Sequence, residues 1–78
     1  MARLRLFAQA RECAGTGEVS IDGETVGQVL DGAVARYGTR LASVIDVSAI
    51  WLNGEAASRD LPVDDNDEVA VLPPVSGG

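Results

Sequence analysis

Residues 3–8, Arg-Leu-Arg-Leu-Phe-Ala, alternate strictly, with Leu4, Leu6 and Ala8 on one side and Arg3, Arg5 and Phe7 on the other. That period predicts a strand with one buried face. The alternation stops at Gln9, and Gly15 and Gly17 mark a break before a second short strand through Val19 and Ile21. From Thr25 the period changes: Val26, Val29, Leu30, Ala33, Val34 and Tyr37 form one apolar stripe at helical spacing. Thr25 and Gln28 have the spacing of a capping box at its start, and Gly38 is a suitable stop. Gly27 and Gly32 each weaken the helix by roughly 1 kcal/mol relative to alanine, so packing must hold it.

Beyond the main helix the signals are shorter. Residues 39–46 suggest at most one more helical turn. Asn53-Gly54 between apolar runs is a hairpin signal, with a strand before it and a short strand after it. An acidic turn, Asp64 to Asp67, precedes a last strand from Glu68 to Leu72, and Pro73-Pro74 ends any ladder. The order is strand, strand, helix and three strands: an α+β domain with one main helix laid across a mixed sheet of about five strands. The expected division is a folded domain over 1–72 and a C-terminal tail over 73–78.

Composition narrows the chemistry. The chain has 78 residues, enough for one small domain, and 46% apolar content favours a packed fold over disorder. A net charge of -6 disfavours nucleic acid and anionic membranes as partners. All six cationic side chains are arginine, so no lysine amine is available for self-conjugation. Cys13 is the sole cysteine and histidine is absent, which removes an intrachain disulfide, a Cys-His zinc site and a four-thiolate cluster. A lone thiol without a neighbouring base is read as packing. The acidic cluster lacks the spacing of a calcium loop and is read as a solvated turn, so no metal is expected. "GTG" lacks the spacing and lysine of a phosphate loop. Arg3 and Arg5 interrupt what would be the apolar core of a signal peptide, which points to the cytoplasm.

What remains is the end of the chain. Two prolines stiffen the base of the tail, while Gly77 and Gly78 leave its tip without side chains, narrow enough to enter an enclosing channel. A slim arm can deliver the carboxylate of Gly78 into another protein's active site. Because a carboxylate is a poor electrophile, acyl chemistry there requires prior activation by a separate ATP-using protein. Phe7, Ala70 and Leu72 adjoin if the first and last strands pair, giving an apolar patch beside the root of the tail. Phe7 could instead cover a second small core, and Trp51 is open to either reading.

"LFAQARECAG" near the start and "DDNDEVAVLPPVSGG" at the end resemble the small subunit of molybdopterin synthase, the MoaD family of ubiquitin-like sulfur carriers with a β-grasp fold. The resemblance covers both ends and the helix in pattern; residues 39 to 47 carry little of it. Leu72 stands where the family often has an aromatic, and Trp51 is a second departure. The resemblance implies a non-catalytic subunit that binds no cofactor itself. An adenylating enzyme of the MoeB or ubiquitin-activating type would use ATP on Gly78, and a sulfur donor protein would leave a thiocarboxylate there. The tail, with Gly77 giving access, would then enter the large subunit, MoaE, in a heterotetramer of two small and two large chains. Partner contacts are implied for Phe7, Ala70, Leu72, Pro73, Pro74, Val75 and Ser76. Rival readings are a carrier for thiamine or cysteine biosynthesis, a ubiquitin-like protein modifier, and a binding module with an inert tail.

Overall fold

A computed structural model describes residues 1–74 of the chain. Its elements are β1 (Ala2–Leu6), α1 (Ala8–Ala14), β2 (Glu18–Ile21), α2 (Val26–Tyr37), α3 (Thr39–Asp46), β3 (Ala49–Leu52), β4 (Glu55–Ala56) and β5 (Glu68–Leu72). The five strands form one sheet in the order β2-β1-β5-β3-β4. β1 and β5 are parallel at its centre, and the other pairings are antiparallel. This mixed sheet carries the main helix as expected for a β-grasp.

Alternation on the two central strands builds the core. Ala2, Leu4 and Leu6 of β1 and Val69 and Val71 of β5 are buried, with Leu4 and Val69 paired in register. Each fully buried leucine or valine contributes roughly 1.5–3 kcal/mol through water release. Val26, Val29, Leu30 and Ala33 cover them from α2, while Leu41 and Ile45 do so from α3. Val34 and Tyr37, at the end of the helical stripe, are half-buried against the same cluster.

Gly32 shows why a helix former was not used at that position. A Cβ there would lie 2.7 Å from Ile21 Cγ2, so the missing side chain lets α2 close on β2. The cap at the start of α2 has the expected donor: the Gln28 N–H donates to Thr25 Oγ1 at 3.1 Å. Its reciprocal half is shifted by one residue, because Gln28 Oε1 accepts from the Glu24 N–H at 2.8 Å rather than from Thr25. The loop at 59–63 secures the same end: Arg59 and Leu61 carbonyls accept from the Gly27 and Val26 N–H groups.

Two helices depart from the sequence reading. Residues 9–14, read as part of a break, join Ala8 in α1, and Ala8, read as the end of the buried row, turns out of the strand direction at φ 48°. The segment given at most one turn is α3, two turns long, which packs against both α1 and α2. Gly38 ends α2, its N–H donating to the Val34 carbonyl at 2.8 Å, and also starts α3.

The Asn53-Gly54 hairpin forms with both residues at positive φ, 52° and 85°, as its turn type requires. Asn53 also ties the turn to the acidic loop. Its Nδ2 donates to Asp67 Oδ1 at 2.8 Å, and its Oδ1 accepts from the Glu68 N–H at 2.9 Å. The carboxyl of Asp67 is held below its ordinary pKa, first by that Asn53 hydrogen bond and then by the Asp64 N–H.

Two outcomes follow from these contacts. Thr25→Ala should lower stability by about 1 kcal/mol, seen as a reduced denaturant midpoint at unchanged slope. An unmoved midpoint would show that this cap does not hold the helix. The depressed Asp67 pKa means that its stabilising contribution is present above the unfolded-state value and lost as pH falls through the lower folded-state value. Asn53→Gly keeps a turn tolerant of positive φ but removes the carboxamide. The Asp67 carboxyl, followed by NMR, should then titrate closer to its ordinary value; an unchanged titration would contradict the assigned cause.

Candidate functional site

The three helices cover one face of the sheet and leave the other open. Register places Glu18, Arg5, Ala70, Trp51 and Ala56 in a row across that open face, one from each strand. Arg3 and Arg5 are matched by acids around them: Arg3 Nε lies 3.6 Å from Glu18 Oε2, Arg3 Nη1 4.0 Å from Glu68 Oε1, and Arg5 Nε 4.0 Å from Glu18 Oε1. These side chains are largely exposed, so each pair contributes at most about 1 kcal/mol. Their effect is to balance charge at one side of the face. Toward β3 and the end of β5 the surface becomes apolar.

Phe7 sits at that end. Its N–H donates to the Val71 carbonyl at 3.2 Å, which continues the parallel ladder by one step and places Phe7 beside Leu72. The Arg5 guanidinium carbon lies 5.4 Å from the centre of the Phe7 ring, within cation–π range. Phe7 is 38% exposed and Trp51 39%, while Ala70 and Leu72 are half-buried between them. Phe7 therefore lies outside the buried core cluster. Trp51 shares the open face with it.

β5 delivers the chain to the edge of this patch. Leu72 is its last residue and pairs with Ala49; half-buried Pro73 and exposed Pro74 follow. Proline has no N–H to donate, so the ladder cannot continue past this point. Val75, Ser76, Gly77 and Gly78 lie outside the described residues. On the helical side of the same root, a notch of about 190 Å³ is lined by Gln9, Ser43, Val44, Val47, Pro73 and Pro74.

Other groups have structural employment. Cys13 is half-buried against the core and lines a shallow groove of about 840 Å³ with Tyr37, Arg40 and Ser43. With neither histidine nor lysine in the chain, its thiol has no basic side chain of those types beside it. The acidic turn is internally bonded: Asp64 Oδ1 accepts from the Asn66 N–H and Asp67 Oδ2 from the Asp64 N–H, while Asp65 pairs with the Met1 ammonium. Among the described residues no group of three or more acidic, cysteine or histidine side chains is placed to hold a metal ion. No described helix is long and apolar enough to cross a membrane.

The sequence left the place of Trp51 undecided and missed Val47. Alternation of Ala49 and Trp51 against Ile50 and Leu52 carries the signal for Trp51. Val47 had none, because the helix that presents it was read as a turn.

Comparison with known proteins agrees with this geometry. The sequence matches the ThiS family over residues 4–78. It is 38% identical to the molybdopterin synthase sulfur carrier subunit of Escherichia coli over 82 residues, covering 100% of both chains. The solution structure of the small archaeal modifier protein 1 from Methanosarcina acetivorans superposes with a TM-score of 0.88 at 33% identity, covering 99% of this chain and 95% of the other. The fold is also similar, at a TM-score of 0.68 and 26% identity, to a chain in the complex of subunits 1 and 2 of the molybdopterin-converting factor from Helicobacter pylori; 99% of this chain and 97% of that one are covered. With a family match that spans nearly the whole sequence and a β-grasp sheet shared with these relatives, the chain belongs to the ThiS family of MoaD-like, ubiquitin-like proteins.

Proposed function

We propose that this chain is a sulfur carrier of molybdenum cofactor biosynthesis and acts as the small, non-catalytic subunit of a molybdopterin synthase. One observation carries the reading: the family match runs through residue 78, so the Gly77-Gly78 end lies inside the shared pattern. The full-length similarity to a molybdopterin synthase sulfur carrier subunit supports the choice of pathway.

The chemistry is a two-step activation. A MoeB-like adenylating enzyme joins the Gly78 carboxylate to the α-phosphorus of ATP, releasing pyrophosphate and leaving an acyl-adenylate. Hydrosulfide supplied by a donor protein then attacks the acyl carbon; a C–S bond forms, the C–O bond to AMP breaks and AMP leaves, and loss of the S–H proton gives a terminal thiocarboxylate. Negative charge on sulfur makes that end a nucleophile. Inside a MoaE-like large subunit its sulfur bonds to a side-chain carbon of cyclic pyranopterin monophosphate with loss of an oxygen substituent there; water then cleaves the acyl C–S bond and returns Gly78 as a carboxylate, and two such transfers supply the dithiolene sulfurs.

This chain's part is mechanical and electrostatic. The stiff Pro73-Pro74 base directs the arm, Gly77 and Gly78 keep its tip narrow, and Val75 and Ser76 span the distance between. Phe7, Ala70 and Leu72 form the apolar docking face beside the root, with Trp51 extending it across the sheet. A surface with net charge -6 favours partners that present basic groups. The assembly implied is a heterotetramer of two small and two large subunits. Similarity to a small archaeal modifier protein favours a second reading, attachment of Gly78 to lysines of other proteins. Higher-mass conjugates in cell extract would support it.

Two experiments test the carrier. Reconstitution with the adenylating enzyme, ATP and sulfide should replace one oxygen by sulfur, read by mass spectrometry. Adding one residue after Gly78, or deleting Gly78, should abolish loading or transfer without loss of fold, and Gly77→Val should be nearly as damaging. An extended chain that loads sulfur untrimmed and still yields product would defeat the reading. At the docking face, Phe7 and Leu72 should each contribute roughly 1.5–3 kcal/mol when desolvated against the large subunit. Phe7→Asp should therefore weaken the complex tenfold or more while the monomer stays folded. Unaltered affinity would remove Phe7 from the interface.

A further inference from the structure

The root of the tail has apolar surface on two sides, and the open sheet face accounts for only one of them. Across Pro73 from Phe7 and Leu72 lies the notch of about 190 Å³, whose apolar lining is Val44, Val47, Pro73 and Pro74, with Gln9 and Ser43 beside them. Val47 is 66% exposed, more than Phe7 or Trp51. That exposure is built into the fold. The Val47 N–H donates to the Val44 carbonyl at 3.2 Å, and Ser48 Oγ donates to the same carbonyl at 2.6 Å, so the last turn of α3 holds Val47 outward.

Reach decides what meets this surface. Resting on the carrier reading, the reacting carboxyl of Gly78 is four residues beyond Pro74. Four residues extend no more than about 13–14 Å. An active site that takes the carboxyl lies within that distance of Pro74, so the entrance that encloses the arm must come down to its root. A wall surrounding the root touches both of its sides.

We propose that the notch between α1, α3 and Pro73-Pro74 is a second docking contact for the large subunit, receiving an apolar side chain from the rim of the entrance that encloses the tail. Val44 and Val47 supply the apolar walls. The Gln9 carboxamide and Ser43 hydroxyl serve peptide groups flanking the inserted residue, because a chain segment that buries a side chain there also brings its own N–H and C=O groups to the rim. A second copy of this chain is a poorer occupant, since two surfaces of net charge -6 repel.

The test is calorimetric titration of the purified large subunit with full-length chain: wild type, Val47→Asn and Val47→Leu. Asparagine adds no charge and suits a helix end, so the melting temperature should stay at the wild-type value. Affinity should fall tenfold or more for Val47→Asn and stay within about twofold for Val47→Leu. Equal affinity for wild type and Val47→Asn overturns the proposal. So does a defect of Val47→Asn confined to the adenylation step, which would assign the notch to the activating enzyme, or loss of self-association as its only effect. Thiocarboxylate formation, read by mass on the same proteins, separates this inference from the one beneath it. A wild type that cannot be loaded sinks the carrier reading, whereas a loaded pair binding equally well sinks only the notch.

Discussion

The parallel pairing of β1 with β5 is the constraint from which the other features follow. It joins opposite ends of the chain at the centre of the sheet, burying Leu4, Leu6, Val69 and Val71 in adjacent rows. Pairing so distant in sequence closes a long loop before any contact offsets the entropy, so it depends on the core that α2 and α3 lay over the same four side chains. The pairing also fixes which residues surround the exit of the chain. Because Leu6 is level with Val71, Phe7 comes level with Leu72, and the residue that ends the first strand borders the one that ends the last. A one-residue slip would turn these outward side chains inward.

The legible parts of the sequence were those where one local rule and one tertiary demand coincide. Alternation along residues 3–6 and 68–72, the stripe from Val26 to Ala33, the Thr25 cap and the Asn53-Gly54 turn all have that character, and all are present. α1 was illegible because it lacks such agreement. Phe7 precedes it without a side-chain cap, no acid stands in its first turn, and Ala10 is its only fully buried residue. Its start needs Ala8 at φ 48°, which alanine seldom adopts and no pattern announces. α3 has the same deficit at its start, where Gly38 provides no side-chain hydrogen bond. Both helices are held by packing on each other, a tertiary fact.

Those two helices explain the asymmetry in how the candidate site could be read. The open face follows from strand period once the first and last strands are taken to pair, so Phe7, Ala70 and Leu72 could be grouped from the sequence. The notch is assembled from the first turn of α1, the end of α3 and the prolines, and nothing in the order of residues brings Gln9, Val47 and Pro74 together. A surface composed of three segments appears only when all three are placed.

The domain's chemistry fits this division of labour. The carboxylates of Asp64 and Asp67 are hydrogen-bonded within their turn, Glu18, Asp31 and Glu68 lie in surface ion pairs, its thiol is packed against the core, and histidine, the side chain that titrates near neutral pH, is absent from the chain. The proposed carrier role asks the domain only to present its end from a root that is held still. The central strand pair supplies that stillness from behind, while Pro73 and Pro74 remove the hydrogen-bond donors that would let the arm extend the ladder. The ladder therefore stops at a defined residue, Leu72. Under the proposed carrier role, the carboxyl can lie no more than about 13–14 Å beyond Pro74, so a partner that takes it would also meet the root.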